Sequence, residues 1–328
     1  MMARKLVIAL AVLGLVLGLS TGVLAAAKTL TFTAGSAGGG WYGIAGGLAK
    51  IIHDYDKGVV IKVVPGGGVK NPAVISAGSV EMGFGLPFIN AAAYKGMPPF
   101  KKPLKNLRAL AGGMVMNFFH FYVGDDSPIK TMDQAFGGKA PFRMAVSQPG
   151  SSDVWVFDRV LESYKTNVKD LREKGYHFAR GNYSFQANQF KDKNVDGVFT
   201  FLSLPGSAVI EASVGRKMRL IKFSDTALKF LEQFGIVEGQ IPPGTYPKAA
   251  NANKAIRTAK AGSVITVSSA MSDEMAYRLT KAFNESVEKV RKVHAALKPY
   301  SVDKGVTGCG LPLHPGAIKY YKEKGVLK

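Results

Sequence analysis

Two short stretches carry the residues best suited to chemistry: Ser36-Ala37-Gly38-Gly39-Gly40-Trp41-Tyr42 and Pro149-Gly150-Ser151-Ser152-Asp153. Each follows an apolar run that reads as a strand (residues 30–33 and 142–147) and precedes a helical pattern (42–55 and 154–164). A loop so placed offers hydroxyls, unpaired backbone N–H groups and the positive end of a helix dipole. That is the chemistry of holding a carboxylate or phosphate. Two such loops facing each other make a cleft.

The elements that must position them alternate. After the first loop come a helix, a strand at 59–64, Gly66-Gly67-Gly68, a helix at 71–77 and an apolar strand at 82–85. Short glycine-rich connections between strands and helices predict a parallel sheet covered on both faces. Residues 107–123, rich in Phe, lead out of this lobe. A second α/β pattern then runs through strands near 176–179, 195–201 and 218–223. The Pro-, Gly- and Asn-rich stretch 240–253 reads as an inter-lobe crossing, followed by a strand at 263–268 and one long amphipathic helix over 273–297. Lobe one is therefore expected at 28–122 and 255–328, and lobe two, with the hinge crossing, at 123–254.

Enzyme motifs are weak or missing. Gly38-x-Gly40-x-x-Gly43 has the letters of a dinucleotide loop, but the next strand runs into Pro65 and three glycines where a ribose-binding acid is required. No glycine loop ends in Gly-Lys-Ser/Thr. His53, His120, His177, His294 and His314 show no metal-ligand spacing, so neither a metal nor a cofactor is expected. His294 reads as a packed or exposed residue of the long helix. Ser127-x-x-Lys130 and Ser301-x-x-Lys304 lack the companion motifs of a serine acylase. Nothing assembles a nucleophile with a base, and no catalytic residue is assigned.

Composition sets the compartment. Arg4 and Lys5 precede an apolar run from 6 to 19 and small residues ending in Ala25-Ala26-Ala27, the pattern of a signal peptide (1–27) cleaved near Ala25 to Ala27. The expected location is the periplasm. The single cysteine, Cys309, excludes an internal disulfide or a paired-cysteine site. The formal net charge is +20, two units of it from Arg4 and Lys5, and its diffuse placement argues against nucleic acid as a partner.

An ordered series of motifs then carries a resemblance: Gly35-Ser36 with Gly38-Gly39 and Tyr42, the Gly66-to-Asn71 turn, Pro149-Gly150-Ser151, Asp196-Gly197, Ile241-Pro242-Pro243-Gly244-Thr245-Tyr246, and Leu313-His314-Pro315-Gly316-Ala317 with Tyr320-Tyr321. Together these resemble the TAXI-type solute receptors of TRAP transporters from about residue 30 to the C-terminus. The resemblance implies a type II periplasmic-binding-protein fold, α/β, with two mixed or parallel sheets, a hinge and a central ligand cleft. It also implies a monomer that binds an organic acid or amino acid and hands it to a TRAP membrane permease. Carried over, Ser36, Gly39 and Tyr42 line the first lobe and Gly150 and Ser151 the second, with Gly38, Trp41 and Ser152 beside them.

Departures from the family bear on the ligand. Leu86-Pro87-Phe88 stands where polar residues are usual, and with Phe199 and Phe201 it would form an apolar wall, predicting a ligand tail less polar than glutamate's. Asp153 either pairs with a ligand amine or caps its helix. An exported enzyme using the same cleft, or a ligand-presenting subunit of a sensor, would share these features.

Overall fold

The structure, a computed structural model, describes residues 27–36, 39–137 and 141–328. The expected signal peptide and Gly38 therefore lie outside the described residues, save Ala27. In chain order the elements are β1 (Lys28–Thr33), α1 (Gly40–Tyr55), β2 (Val59–Val64), α2 (Lys70–Ser76), β3 (Met82–Gly85), α3 (Pro87–Lys95), β4 (Leu107–Ala111) and β5 (Asn117–Gly124). There follow α4 (Met132–Phe136), β6 (Arg143–Val146), α5 (Ser152–Ser163), α6 (Val168–Glu173), β7 (His177–Arg180), α7 (Tyr183–Lys191), β8 (Gly197–Ser203) and α8 (Ser207–Gly215). The remainder comprises β9 (Met218–Leu220), α9 (Asp225–Glu232), β10 (Val237–Ile241), β11 (Ile256–Ala261), β12 (Val264–Ser268), α10 (Asp273–Glu285), α11 (Val287–Val293) and α12 (Pro315–Glu323).

These strands form two mixed sheets on one plan. The first has the order β2-β1-β3-β12-β4 and the second β10-β11-β5-β8-β6-β7, with β9 on β5. In the first, β2, β1 and β3 are parallel and β12 lies antiparallel beside β3. In the second, β7, β6 and β8 are parallel and β5 lies antiparallel beside β8. Each lobe thus takes its antiparallel strand from chain that has just crossed over from the other.

The crossings sit at 112–116 and 262–263, side by side. Ser263 joins them, its hydroxyl accepting from the Val115 N–H (2.9 Å) and its carbonyl from the Met114 N–H (3.2 Å). This moves the expected lobe boundaries, because β5 and β11 both pair within the second sheet. Residues 240–253 are no crossing. They close a hairpin inside lobe two, where the buried Tyr246 hydroxyl meets His120 Nε2 (2.7 Å) and accepts from the Gly206 N–H (2.9 Å). The expected long helix 273–297 is also broken at Ser286, which ends α10 and starts α11.

Helix α1 shows how packing aims the site. Trp41, Ile44, Ala45, Leu48, Ile51 and Ile52 form one buried stripe, and each such large side chain contributes about 1.5–3 kcal/mol on burial. Trp41 packs on Phe84 of β3 at 5.1 Å between ring centroids, which holds the first turn over the sheet. At Gly47 a Cβ would stand 2.4 Å from Val293, so the absent side chain is what lets α11 close on α1.

Candidate functional site

All the loops that meet between the lobes leave the carboxyl ends of parallel strands, where sheets of this kind bind ligands. In lobe one the anchor is Asn71, fully buried at the start of α2. Its side-chain oxygen accepts from the Gly67 N–H and the Thr33 hydroxyl (both 2.9 Å), and its amide donates to the carbonyls of Ala34 and Phe84 (both 2.7 Å). One side chain so ties the ends of β1 and β3 to the Gly66–Gly68 loop. Gly39 caps α1 without a side chain, leaving the N–H groups of Gly40 and Trp41 without intrahelical partners.

In lobe two, Gly150 has φ +86°, a left-handed turn that suits glycine. Its carbonyl accepts from the N–H groups of Val69 and Lys70 across the lobe boundary (both 3.3 Å). Ser151 stands at the N-cap of α5 but its hydroxyl makes no cap bond, so it is available to a ligand. The lobes touch through lobe-one glycines. A Cβ on Gly68 would lie 2.7 Å from Ser152 Cβ, one on Gly39 2.9 Å from the Tyr183 ring, and one on Gly40 2.6 Å from Ser203 Oγ.

Between these surfaces is a cavity of about 30 Å³, room for roughly two waters, which is the size of one carboxylate group. Its walls carry Ser36, Ser151, Ser152 and Ser203, the Asn117 amide, the glycine backbones, and the rings of Trp41, Tyr183 and Phe201. The buried Trp41 Nε1 has no hydrogen-bond partner. Through Ser36, Gly67 and Ser151 this cavity adjoins an outer chamber of about 350 Å³, walled by Pro65, Gln148, Pro149, Asn182 and Lys70 among others. Lys70 is the one charged side chain among the described residues of either wall.

Of the residues picked out in the sequence, Ser36, Gly39, Trp41, Ser151, Ser152 and Phe201 lie in the inner wall and Gly150 in the outer one. Tyr42, Phe88, Asp153 and Phe199 fall elsewhere. Gly38 is outside the described residues, and Tyr42 is 40% exposed and absent from both walls. Phe88 packs on Trp155 across the lobe boundary (centroids 5.3 Å) in a separate recess. Asp153 is buried outside both walls, where one carboxylate oxygen takes the Ser147 hydroxyl. Phe199 belongs to the core of lobe two, against Phe119, Phe157 and Phe223.

Sequence reasoning missed Gly68, Tyr183, Ser203 and Lys70 as site residues, although Gly66-Gly67-Gly68 was a visible signal. It also misplaced His294, which ends α11. His294 Nδ1 accepts from the Ala296 N–H (3.1 Å), so the ring hydrogen sits on Nε2, 3.7 Å from where a Gly40 Cβ would be. Burial lowers its pKa below the ordinary 6.5. It is therefore a neutral donor at pH 7 and is in the wrong tautomer to act as a base toward Ser203. No group of three metal-ligating side chains occurs among the described residues, nor does a helix long and apolar enough to cross a membrane.

Two mixed sheets on one plan, a double chain crossing and a cavity enclosed between strand ends define the two-lobed fold of periplasmic binding proteins. The chain belongs to the NMT1-like family, whose profile matches residues 32–325. Among solved structures it is similar to a periplasmic transporter protein (11% identity, 93% of this chain and 95% of the other, TM-score 0.52). It is also similar to the substrate-binding protein of an amino acid ABC transporter (12%, 81% and 97%, TM-score 0.45). A third is a binding-protein component of an ABC phosphonate transporter from Pseudomonas aeruginosa (13%, 83% and 79%, TM-score 0.49). At these identities the likeness is one of fold.

Proposed function

We propose that this protein is an extracytoplasmic solute receptor that captures a small organic acid or amino acid between its lobes and presents the closed complex to the permease of a TRAP-type transporter. The observation that carries this reading is the inner cavity. It lies between the lobes, is of carboxylate size, and is lined by the glycines of the helix-start loop, by Ser36, Ser151, Ser152 and Ser203, and by Trp41. Neutral donors hold an anion firmly enough to capture it and let it go. The fold supports receptor over enzyme, and the Nε2–H tautomer of His294 agrees with that. The TRAP assignment rests on the ordered motif series, and periplasmic export on the N-terminal pattern.

The apolar-tail expectation loses its basis. Leu86 is wholly buried and Phe88 faces another recess, whereas the chamber beyond the cavity is polar and holds Lys70. The far end of the ligand is accordingly hydrophilic. A thermal-shift screen of carboxylates, amino acids, sugars and phosphates tests this reading. At a hundredfold excess over Kd, binding adds about 2.7 kcal/mol, a shift of a few degrees in a chain of this size. Stabilisation by carboxylates or amino acids without turnover is expected. Stabilisation by sugars alone, or by nothing, refutes it.

A further inference from the structure

Asp153 is the second residue of α5, immediately after Ser152 of the cavity wall. It is 1% exposed. One carboxylate oxygen accepts from the Ser147 hydroxyl, which itself accepts from Gln186 Nε2 (2.8 Å). The other, Oδ1, is buried without a partner. No cation among the described residues compensates the charge. From β6 the facing group is Ser147, and from α7 they are Gln186 and Tyr183, whose hydroxyl stays neutral because burial and Asp153 both raise its pKa. Arg180 of β7 acts on Asp158, farther along α5, and His294 lies beside Gly40 of lobe one.

An anion held in the cavity at Ser151 and Ser152 would sit one to two residues along the chain from this buried carboxylate. Two like charges so placed disfavour each other, and Asp153, buried with no compensating cation, is the acid of this chain positioned to take up a proton. On the reading of the cavity as an anion site, we propose that ligand binding is proton-linked: the anion enters with one proton from solvent, which forms an O–H bond at Asp153. The chemistry balances as carboxylate plus proton plus ionised Asp153 giving bound carboxylate beside neutral Asp153. Burial already pushes this carboxyl up to about 6, so the exchange falls in an accessible pH range.

Calorimetry of the purified protein with acetate, succinate and L-glutamate as probes, in two buffers of different ionisation heat at pH 7.5, measures proton uptake directly. Uptake approaching one proton per bound anion is expected, with Kd rising up to about tenfold per pH unit above pH 6. Asp153→Asn should bind without uptake and with a flat pH profile, and His294→Asn should keep the uptake. Anion binding by the wild type with no proton taken up overturns the proposal, whether or not the variants fold. Uptake that survives in Asp153→Asn also overturns it, since the proton then goes elsewhere. If no probe binds at any pH from 5 to 8, the anion-site reading itself fails and the linkage falls with it.

Discussion

Replacing Gly68 by Ala tests whether the lobes meet as described when a ligand is held. The new methyl group would lie 2.7 Å from both Ser152 Cβ and Oγ and 3.2 Å from Leu86 Cδ1. Carbon atoms prefer about 3.5–4.0 Å, so the lobes must part by roughly 1 Å at this point. The two 3.3 Å bonds from Val69 and Lys70 to the Gly150 carbonyl would then stretch past the limit of a useful hydrogen bond. Each contributes about 0.5–1.5 kcal/mol, so closure should weaken by about 1–3 kcal/mol. That corresponds to roughly 5- to 150-fold in Kd. Calorimetric titration with the acid found by screening gives Kd, and urea unfolding should change by less than about 0.5 kcal/mol. An unchanged Kd would mean that Gly68 and Ser152 do not touch in the bound state. A large loss of stability would place the effect on Leu86 within lobe one.

Two further outcomes follow from buried polar groups. The Asp153 carboxyl moves from an ordinary 3.8 to about 6 on folding, so this group's own contribution to stability is most favourable below pH 4, is lost between about pH 4 and 6 and is level above that; Asp153→Asn should add up to about 3 kcal/mol at pH 7.5 and nothing at pH 3.5 in paired urea titrations. Equal effects at both pH values would show that the change acts by packing and not by charge. Asn71→Ala leaves the Gly67 N–H and the Ala34 and Phe84 carbonyls unpaired, and should cost about 3 kcal/mol in urea unfolding. A loss under about 0.5 kcal/mol would deny Asn71 its anchoring role.

The parallel strands β2 and β3 were legible as short, mostly apolar runs next to glycine-containing turns, although of the two only β3 is buried throughout. Residues 59–64 and 82–85 were bounded from sequence as they stand in the structure. The lobe boundary was not legible. A strand such as β5 declares its extended backbone but not the sheet it joins, and partner choice is a long-range property. The loop 240–253 misled for a related reason: its turn residues are real, yet a buried Tyr246 hydroxyl holds them against lobe two.

Within the site, both glycine- and serine-rich loops were readable as strand-to-helix junctions. Trp41 and Tyr42 looked interchangeable there. The stripe Trp41, Ile44, Ala45, Leu48 would have separated them, placing Trp41 inside and Tyr42 out. Asp153 could not be resolved, because a helix start suits a capping, ligand-binding or buried carboxylate equally until Ser147 and Gln186 are brought beside it.

The chain contains two tryptophans, and both stand where the lobes meet. Trp41 belongs to the cavity wall of lobe one, and Trp155 of lobe two is covered by Phe88 from the other side. The protein consequently carries its own optical gauge of opening. Ultraviolet emission from Trp41 responds to what fills the cavity, while that from Trp155 responds to whether Phe88 still covers it. With Trp155→Phe as the partner measurement, occupancy and closure become two separable colours of one unlabelled molecule, and their order in time can be read by rapid mixing.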